Sequence, residues 1–235
     1  YETMLARELD QMRGARILLH LNADEHAFFS DALPDMRHEL LYPAVPEVPT
    51  GPGGEDVVIV SSRNRANVDS MVWFLHDVVP RVELLSPGAP FRIVGSVDAG
   101  VRAADAGLHE KHRARFVGRV DRLGDVYAGA RLVLLPTIEG TGLSIKTVEA
   151  MASGLPLVAT RHAFRGMNFD PAALDNVTLA DSAEEFAQAF ARALKAPAPD
   201  AAARAASATR RAYEAHFSDA AYCRRLTEIA APLLR

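Results

Sequence analysis

Short apolar runs alternate with longer stretches of mixed apolar and polar residues along most of the chain. The runs lack the in–out alternation of a strand with one wet face, so they predict strands buried on both faces. The mixed stretches place apolar residues three and four positions apart, which predicts amphipathic helices. The predicted strands are residues 15–21, 38–44, 56–61, 91–95, 115–120, 132–136, 155–160 and 177–179. The predicted helices are residues 1–12, 24–33, 67–85, 98–106, 123–128, 144–153, 183–194, 201–217 and 220–234.

Two residues mark the ends of predicted helices. Pro80 predicts a bend or an end in the helix 67–85, because proline lacks the backbone N–H that a helix interior uses. Gly154 predicts a left-handed cap after the helix 144–153. The alternation of buried strands with helices predicts an α/β fold. We expect a Rossmann-like, doubly wound parallel sheet with right-handed crossovers and a helical C-terminus.

A run rich in proline and glycine separates the first four elements from the rest. Residues 45–55 hold three prolines and three glycines, and such a run continues neither helix nor strand. We therefore predict a linker at 46–55 between a segment 1–45 and a larger domain 56–235. The chain starts within a helical pattern and without methionine, so we interpret it as a fragment of a longer protein.

Composition and charge narrow the function classes. A net charge of −4 gives no electrostatic case for nucleic acid or for an anionic membrane. No apolar run approaches the roughly 20 residues that cross a bilayer. The single cysteine, Cys223, builds neither a disulfide framework nor a zinc site, and we predict a small buried residue there. These features favour a protein of the cytoplasm, or one peripheral to a membrane, that binds no metal.

The loops that follow the predicted strands form the expected ligand rim, because ligands bind outside the carboxyl ends of such sheets. After strand 132–136 come Glu139 and two glycines that flank Thr141, directly before a helix. This loop is either a phosphate cradle or a tight turn. Within the helix, Lys146 and Glu149 lie three apart and share a face. They form either a surface ion pair or a phosphate-binding cation beside a carboxylate for a ribose diol.

Other polar residues have less defined predictions. His162 and Arg165 follow strand 155–160, where they either reach the ligand or belong to a structural loop. His109 and His112 are predicted to lie in a solvated turn rather than on a metal. The basic run that contains Lys111, Arg113 and Arg115 is likewise predicted to be solvated.

Three sequence runs resemble the donor-binding domain of the retaining family-four glycosyltransferases, which have the GT-B fold. They are Gly118-Arg119-Val120, the strand 132–136, and EGTGLSIKTVEAMASGLPLVAT at 139–160. The resemblance covers roughly residues 38–235. It implies that 1–45 is the C-terminal remnant of an acceptor-side Rossmann-like domain, and that 56–235 binds a nucleotide sugar.

The resemblance implies roles for ten residues. The catalytic set is Glu139, near the donor sugar, with Arg63, Arg65 and Lys146 as cations for the diphosphate. The donor-binding set is Arg119 and Val120 at the base, Thr141, Gly142 and Leu143 in the amide loop, and Glu149 on the ribose. The stretch between Glu139 and Glu149 is two residues longer than is usual, which resembles a subgroup with a longer glycine loop and a lysine. The usual arginine–lysine pair of the first loop is not clearly present.

The implied activity is transfer of a hexosyl group from a nucleoside-diphosphate sugar to a hydroxyl, with retention of configuration. The acceptor would be a saccharide, a lipid or a small molecule, and neither cofactor nor metal is implied. Because the acceptor domain is almost wholly absent, we expect this fragment to be inactive alone. Two alternatives stay open: a non-catalytic nucleotide-binding module, and a nucleotide-sugar epimerase on the same fold.

Overall fold

Six parallel strands form the central sheet of the computed structural model, which describes residues 2–51 and 53–233. Tyr1, Pro52, Leu234 and Arg235, which fall in the predicted first helix, linker and last helix, lie outside the described residues. The sheet strands are β3 (Asp56–Val60), β4 (Arg92–Val94), β5 (Phe116–Gly118), β6 (Ala130–Leu135), β7 (Leu157–Ala159) and β8 (Val177–Leu179). Two further strands, β1 (Leu18–His20) and β2 (His38–Leu40), pair in parallel as a separate small sheet.

Helices connect these strands as predicted, except that an additional helix covers Ala106–Lys111 and the predicted helix 201–217 is interrupted at residues 206–207. The first two are α1 (Glu2–Met12) and α2 (Ala23–Ala32), followed by α3 (Arg65–Trp73), α4 (Val79–Leu85), α5 (Asp98–Ala104), α6 (Ala106–Lys111), α7 (Leu123–Ala128) and α8 (Ile145–Ser153). The C-terminal part holds α9 (Ala183–Lys195), α10 (Ala201–Ala205), α11 (Ala208–His216) and α12 (Asp219–Ala230). Short 3-10 turns occupy Arg113–Arg115, Arg161–Phe164, Pro171–Ala173 and Ala231–Leu233. Within the described chain, no helix is both long and apolar enough to cross a membrane.

The large sheet is covered on both faces, as its apolar strands predict. Val57 and Ile59 of β3 pack into one core with α3, α4 and α9, whereas Val58 packs into a second core with α8 and α11. The strand order is β5-β4-β3-β6-β7-β8, so the chain winds outward in both directions from the pair β3 and β6. The Rossmann-like, doubly wound α/β fold with a helical C-terminus is thus confirmed. Its switch point lies between β3 and β6, where such folds bind ligands.

The region around Pro80 is a continuous helix whose geometry changes. Between α3 and α4, residues Phe74–Val78 form a π turn in which Val79 N–H donates to Phe74 O, five residues back. Pro80 then sits in the first turn of α4, directly after this π turn. The wider turn therefore absorbs the proline, and the helix neither ends nor is interrupted there.

The prediction of a solvated turn at His109 and His112 is wrong. Both side chains are buried, His109 on α6 and His112 just after it. His109 Nε2 bonds with Asp98 Oδ1, and its ring stacks on Phe116 with centroids 5.0 Å apart. These partners come from α5 and β5, so the polar sequence alone did not reveal the burial. Cys223 is exposed, which also contradicts its prediction.

The proline- and glycine-rich segment forms neither helix nor strand over its described residues, but it packs closely on the larger unit. Val45 and Val48 are buried in the second core. Tyr213 Oη donates to Val45 O at 2.8 Å. The division at 46–55 stays a prediction.

Candidate functional site

A cavity of about 480 Å³ opens at the switch point, between the start of α3 and the first half of α8. We call it the α8 cavity. Four of the predicted site residues line it: Thr141, Leu143, Lys146 and Glu149. Further lining residues are Val60, Ser62, Asn64, Asn67, Leu123, Ser144, Ile145 and Arg165. The structure therefore brings part of the glycine loop, both charged residues of α8 and Arg165 from the loop after β7 to one place.

The glycine loop, residues 137–143, is held by hydrogen bonds to neighbouring segments on both sides. Ile138 N–H donates to Ser70 Oγ of α3 at 3.1 Å, and His162 Nε2 donates to Gly140 O at 3.1 Å. Gly140 has a φ of 123°, and a Cβ there would lie 2.8 Å from Arg165 Nη2. The positive φ favours glycine at this position, where the loop lies close to the guanidinium of Arg165.

Helix α8 is fixed by its buried face and presents its two charged residues to the cavity. Val148 and Met151 are completely buried, and Gly154 ends the helix with φ 68° and ψ 8°, as predicted. Lys146 and Glu149 lie on the remaining face and are half-buried. The sequence predicts this division of the helix into a buried and a polar face, because apolar residues recur at helical spacing and the charged residues lie between them.

The polar partner of Lys146 lies on α3. Lys146 Nζ donates to Asn67 Oδ1 at 2.6 Å, and Asn67 in turn donates to Ser62 O at 3.0 Å. Burial, together with the nearby charge of Arg165, lowers the pKa of Lys146 to about 8. Burial also raises the pKa of Glu149. Both side chains are thus desolvated at the cavity, where an ionic ligand interacts with them strongly.

Sequence reasoning gave Asn67 no role, although a signal was present. Asn64 caps α3 by accepting from Asn67 N–H at 2.8 Å. A polar residue in the first turn of a helix that follows a buried strand faces the ligand rim in this fold. Ser62 and Asn67 could therefore have been found from their position after β3.

Six predicted residues do not line the α8 cavity, and one of them, Gly142, lines a different cavity. Arg65 pairs with Asp69 on its own helix at 3.5 Å, and Arg63 extends from the β3 loop against Gly100. Glu139 and Arg119 are exposed at the rim. Val120 lines a separate cavity of about 430 Å³ beside β3, β4, β5 and α7. Their predicted roles stay predictions.

A third cavity, of about 720 Å³, lies between the glycine loop and the segment α1–α2. We call it the N-terminal cavity. It shares Thr141 and Arg165 with the α8 cavity, and His20 and His162 line it as well. His20 Nε2 bonds with His38 Nδ1 at 2.8 Å. Sequence reasoning assigned no role to His20. Over residues 2–51 and 53–233, no three His, Cys, Asp or Glu side chains are grouped as a metal site would require.

Comparison with protein families gives one match. The family model described as "Glycosyl transferases group 1" matches residues 54–196, which is more than half of the chain. Every residue that lines the α8 cavity falls within the matched range. No curated protein sequence matches the chain.

Solved structures share the fold at low sequence identity. Sucrose-phosphate synthase from Thermosynechococcus elongatus is similar with a TM-score of 0.69 and 22% identity, covering 100% of this chain and 62% of that one. A point mutant of S. aureus TarM, in a complex that includes UDP, is similar with a TM-score of 0.68 and 16% identity. The match covers 94% of this chain and 45% of that one. Anabaena HepE in complex with UDP is similar with a TM-score of 0.67 and 14% identity. The match covers 93% of this chain and 64% of that one. The chain thus spans less than two thirds of each of these proteins.

Proposed function

The chain belongs to the group 1 glycosyl transferases, and from this premise we propose that it is the donor-binding half of a retaining, family-four enzyme. The proposed reaction moves a hexosyl group from a nucleoside-diphosphate sugar to a hydroxyl. The observation that carries the proposal is the α8 cavity, where Lys146 and Glu149 share one helix face at the switch point of the sheet. UDP in the TarM and HepE structures supports a uridine nucleotide as the first donor to test.

Glu149 would bind the ribose. A carboxylate has two oxygens, so it can accept one O–H from each hydroxyl of a ribose diol. Charge-assisted bonds of this kind are about twice as strong as neutral ones. The raised pKa of Glu149 reflects a carboxylate with reduced hydration. Such a group gains more from a ligand hydroxyl than a fully hydrated carboxylate does.

The glycine loop and Lys146 would hold the diphosphate. Thr141, Gly142 and Leu143 precede α8, whose N-terminal N–H groups favour an anion. Lys146 adds a cation at the same end of the helix. As the bond to the sugar breaks, negative charge grows on the diphosphate, and prearranged donors and cations stabilise it. No cofactor and no metal is needed for this step.

The residues outside the α8 cavity keep their proposed roles at its rim. Arg63 and Arg65 are candidate cations from the loop after β3, and Glu139 is a candidate contact of the donor sugar. Arg119 and Val120 are proposed to frame the base. Their exposure leaves them free to reach a ligand that is larger than the cavity itself.

The acceptor side is proposed to lie in the segment 1–45 and the rest of its domain. That segment has its own small parallel sheet, β1 and β2, which is separate from the large one. The acceptor would be a saccharide, a lipid or a small molecule, and the enzyme would act in the cytoplasm or at a membrane surface. With 46–55 as the linker, we propose that residues 1–235 alone are inactive.

Calorimetric titration of UDP and GDP into wild type and Glu149→Gln tests the donor site. We expect one nucleotide to bind and the variant to lose about 10- to 100-fold in affinity, as for removal of a charge-assisted bond. Glu110→Gln on α6 is the matched control, because Glu110 is exposed and distant from the cavity. If neither nucleotide binds the wild type, the donor site is refuted. Equal binding by Glu149→Gln refutes the ribose role.

A further inference from the structure

The α8 cavity and the N-terminal cavity share two lining residues, and the sequence left the role of one of them, Arg165, undecided. Arg165 and Thr141 line both cavities, whereas Lys146 lines only the α8 cavity. Arg165 follows the 3-10 turn Arg161–Phe164 after β7, at the carboxyl end of the sheet. A ligand that spans the two cavities would therefore lie beside Arg165 and Thr141.

The guanidinium of Arg165 makes one hydrogen bond to the backbone and has one N–H group without a partner within the described residues. Its Nη1 donates to His162 O at 3.3 Å. Its Nε is buried and has no hydrogen-bond partner within residues 2–51 and 53–233. A buried N–H without a partner is costly, and native proteins seldom keep one unless a ligand or water completes it. An ordered water or a ligand group that accepts hydrogen bonds would complete this donor.

The backbone next to Arg165 is hydrogen-bonded to the N-terminal segment. Gly166 O accepts from Ala23 N–H at 2.8 Å, which joins this loop to the start of α2. Gly140, on the other side, has no Cβ and so leaves room for the guanidinium. The arginine thus lies between the glycine loop and the N-terminal segment.

The electrostatic surroundings of Arg165 favour an anion. Arg165 is close enough to Lys146, on α8, for its charge to lower the pKa of that lysine. Asp24 of α2 offers Arg165 some compensation through its negative charge. Two desolvated cations that face one space form a strong site for a doubly charged group.

We propose that Arg165 binds the second phosphate of a nucleoside diphosphate at the junction of the two cavities, with Lys146 on the first phosphate. This inference rests on the proposed donor site. It orients the donor: the nucleoside lies in the α8 cavity beside Glu149, and the sugar extends into the N-terminal cavity past His20. The fork of an arginine suits the outer phosphate, since two of its N–H groups can bind two oxygens of that phosphate.

Binding should then take up a proton. The groups that face Lys146 are Arg165 from the β7 loop, Glu149 one turn along α8, and the neutral Asn67 from α3. With a pKa of about 8, about half of the Lys146 side chains are neutral at pH 8. A diphosphate favours the ammonium form and raises that pKa. We therefore expect UDP binding at pH 8 to take up a fraction of a proton.

The test compares UDP with UMP on wild type, Arg165→Met, Arg165→Lys and Arg161→Met. Arg161 is the matched control, because it lies on the same turn but is exposed and paired with Asp170 at 3.3 Å. We expect Arg165→Met to lose about 10- to 100-fold in affinity for UDP, little for UMP, and thus most of its preference for UDP. Arg165→Lys should retain part of that preference, and Arg161→Met all of it.

Three outcomes would overturn the inference, and two of them leave the donor site intact. If Arg165→Met keeps the wild-type preference for UDP while Glu149→Gln weakens both nucleotides, the donor site stands and Arg165 has no phosphate role. If Arg165→Met does not fold, an undiminished preference for UDP over UMP in Arg165→Lys has the same meaning. If wild type binds neither UDP nor UMP, and neither GDP nor GMP, both proposals fall. Titrations at pH 8 in buffers of different ionisation enthalpy measure the proton uptake, which Lys146→Met should abolish.

Discussion

Replacing Arg204 with methionine is expected to destabilise the fold by about 3 kcal/mol, because three carbonyls, two of them in buried contacts, lose the arginine as a donor. Arg204, on α10, is completely buried, and its guanidinium donates to all three. Nε bonds Ser153 O at 3.1 Å, Nη1 bonds Gly51 O at 3.2 Å, and Nη2 bonds Tyr127 O at 3.2 Å. One side chain therefore joins the end of α8, the end of α7 and the linker segment.

The magnitude follows from what the substitution leaves behind. Each of the three carbonyls loses the arginine donor, although Tyr127 O keeps a contact with Gly129 N–H and the contact of Gly51 O is only partly buried. An unsatisfied buried acceptor costs about 1–3 kcal/mol. Burial lowers the pKa of Arg204, which shows that the guanidinium itself is desolvated at a cost. Methionine removes that cost, so the lower end of the range applies. Three carbonyls at about 1 kcal/mol each give the expected loss.

Urea denaturation provides the assay. Unfolding is followed by far-ultraviolet circular dichroism and by the fluorescence of Trp73, the single tryptophan, so that coincident curves establish a two-state transition. Arg211→Met is the matched control, because Arg211 is exposed on α11 and should change stability by no more than about 0.5 kcal/mol. A loss below about 1 kcal/mol for Arg204→Met, with an unchanged m-value, would refute the reasoning.

Three further predictions concern α8 and its surroundings. Gly154→Ala should destabilise the fold by at least about 1–2 kcal/mol in the same urea assay, since φ is 68° and a Cβ would lie 2.2 Å from Arg204 O. Glu149→Gln should raise the thermal midpoint of the protein without ligand at pH 7. The raised pKa of Glu149 means that its carboxylate is disfavoured in the fold, so this gain should vanish below the ordinary glutamate value of 4.5. Asn67→Asp should raise the pKa of Lys146 above about 8, measurable by NMR of labelled lysine, and should weaken UDP binding severalfold; an unchanged lysine titration would contradict the contact at 2.6 Å.

Local patterns in the sequence were sufficient for most of the fold. The strand β8 was predicted to the residue, and Gly154 ends α8 as its position implied. Both depend on neighbours along the chain, which a sequence displays directly. The π turn Phe74–Val78 also had its signal, in Pro80, although the outcome was a change of helix geometry rather than an end.

Long-range partners explain what could not be predicted. His109 is buried because Asp98 and Phe116 meet it from α5 and β5. Arg165 lies beside Lys146 because the β7 loop turns back over the glycine loop, and only the three-dimensional path of the chain decides that. Helical spacing left Glu149 open between a surface ion pair and a ligand contact, and the family resemblance implied a place in the donor site; the side chain lines the α8 cavity. The ribose role of Glu149, and the roles of the exposed rim residues, stay predictions.

The C-terminal end of α8 makes contacts that stabilise the fold, whereas its N-terminal end carries residues of the proposed binding site. Effects on stability and on ligand binding can therefore be separated. Arg204 and Gly154 fix the C-terminal end of the helix, whereas Lys146 occupies its first turn and Asn67 holds it there. Desolvating Lys146 and Glu149 opposes folding, and the fully buried face of α8 offsets that cost. A substitution at the C-terminal end therefore lowers the free energy of unfolding without moving the cations. We expect Arg204→Met, measured well below its thermal midpoint, to bind UDP with the affinity of the wild type, because the contacts that set the α8 cavity lie at the opposite end of the helix.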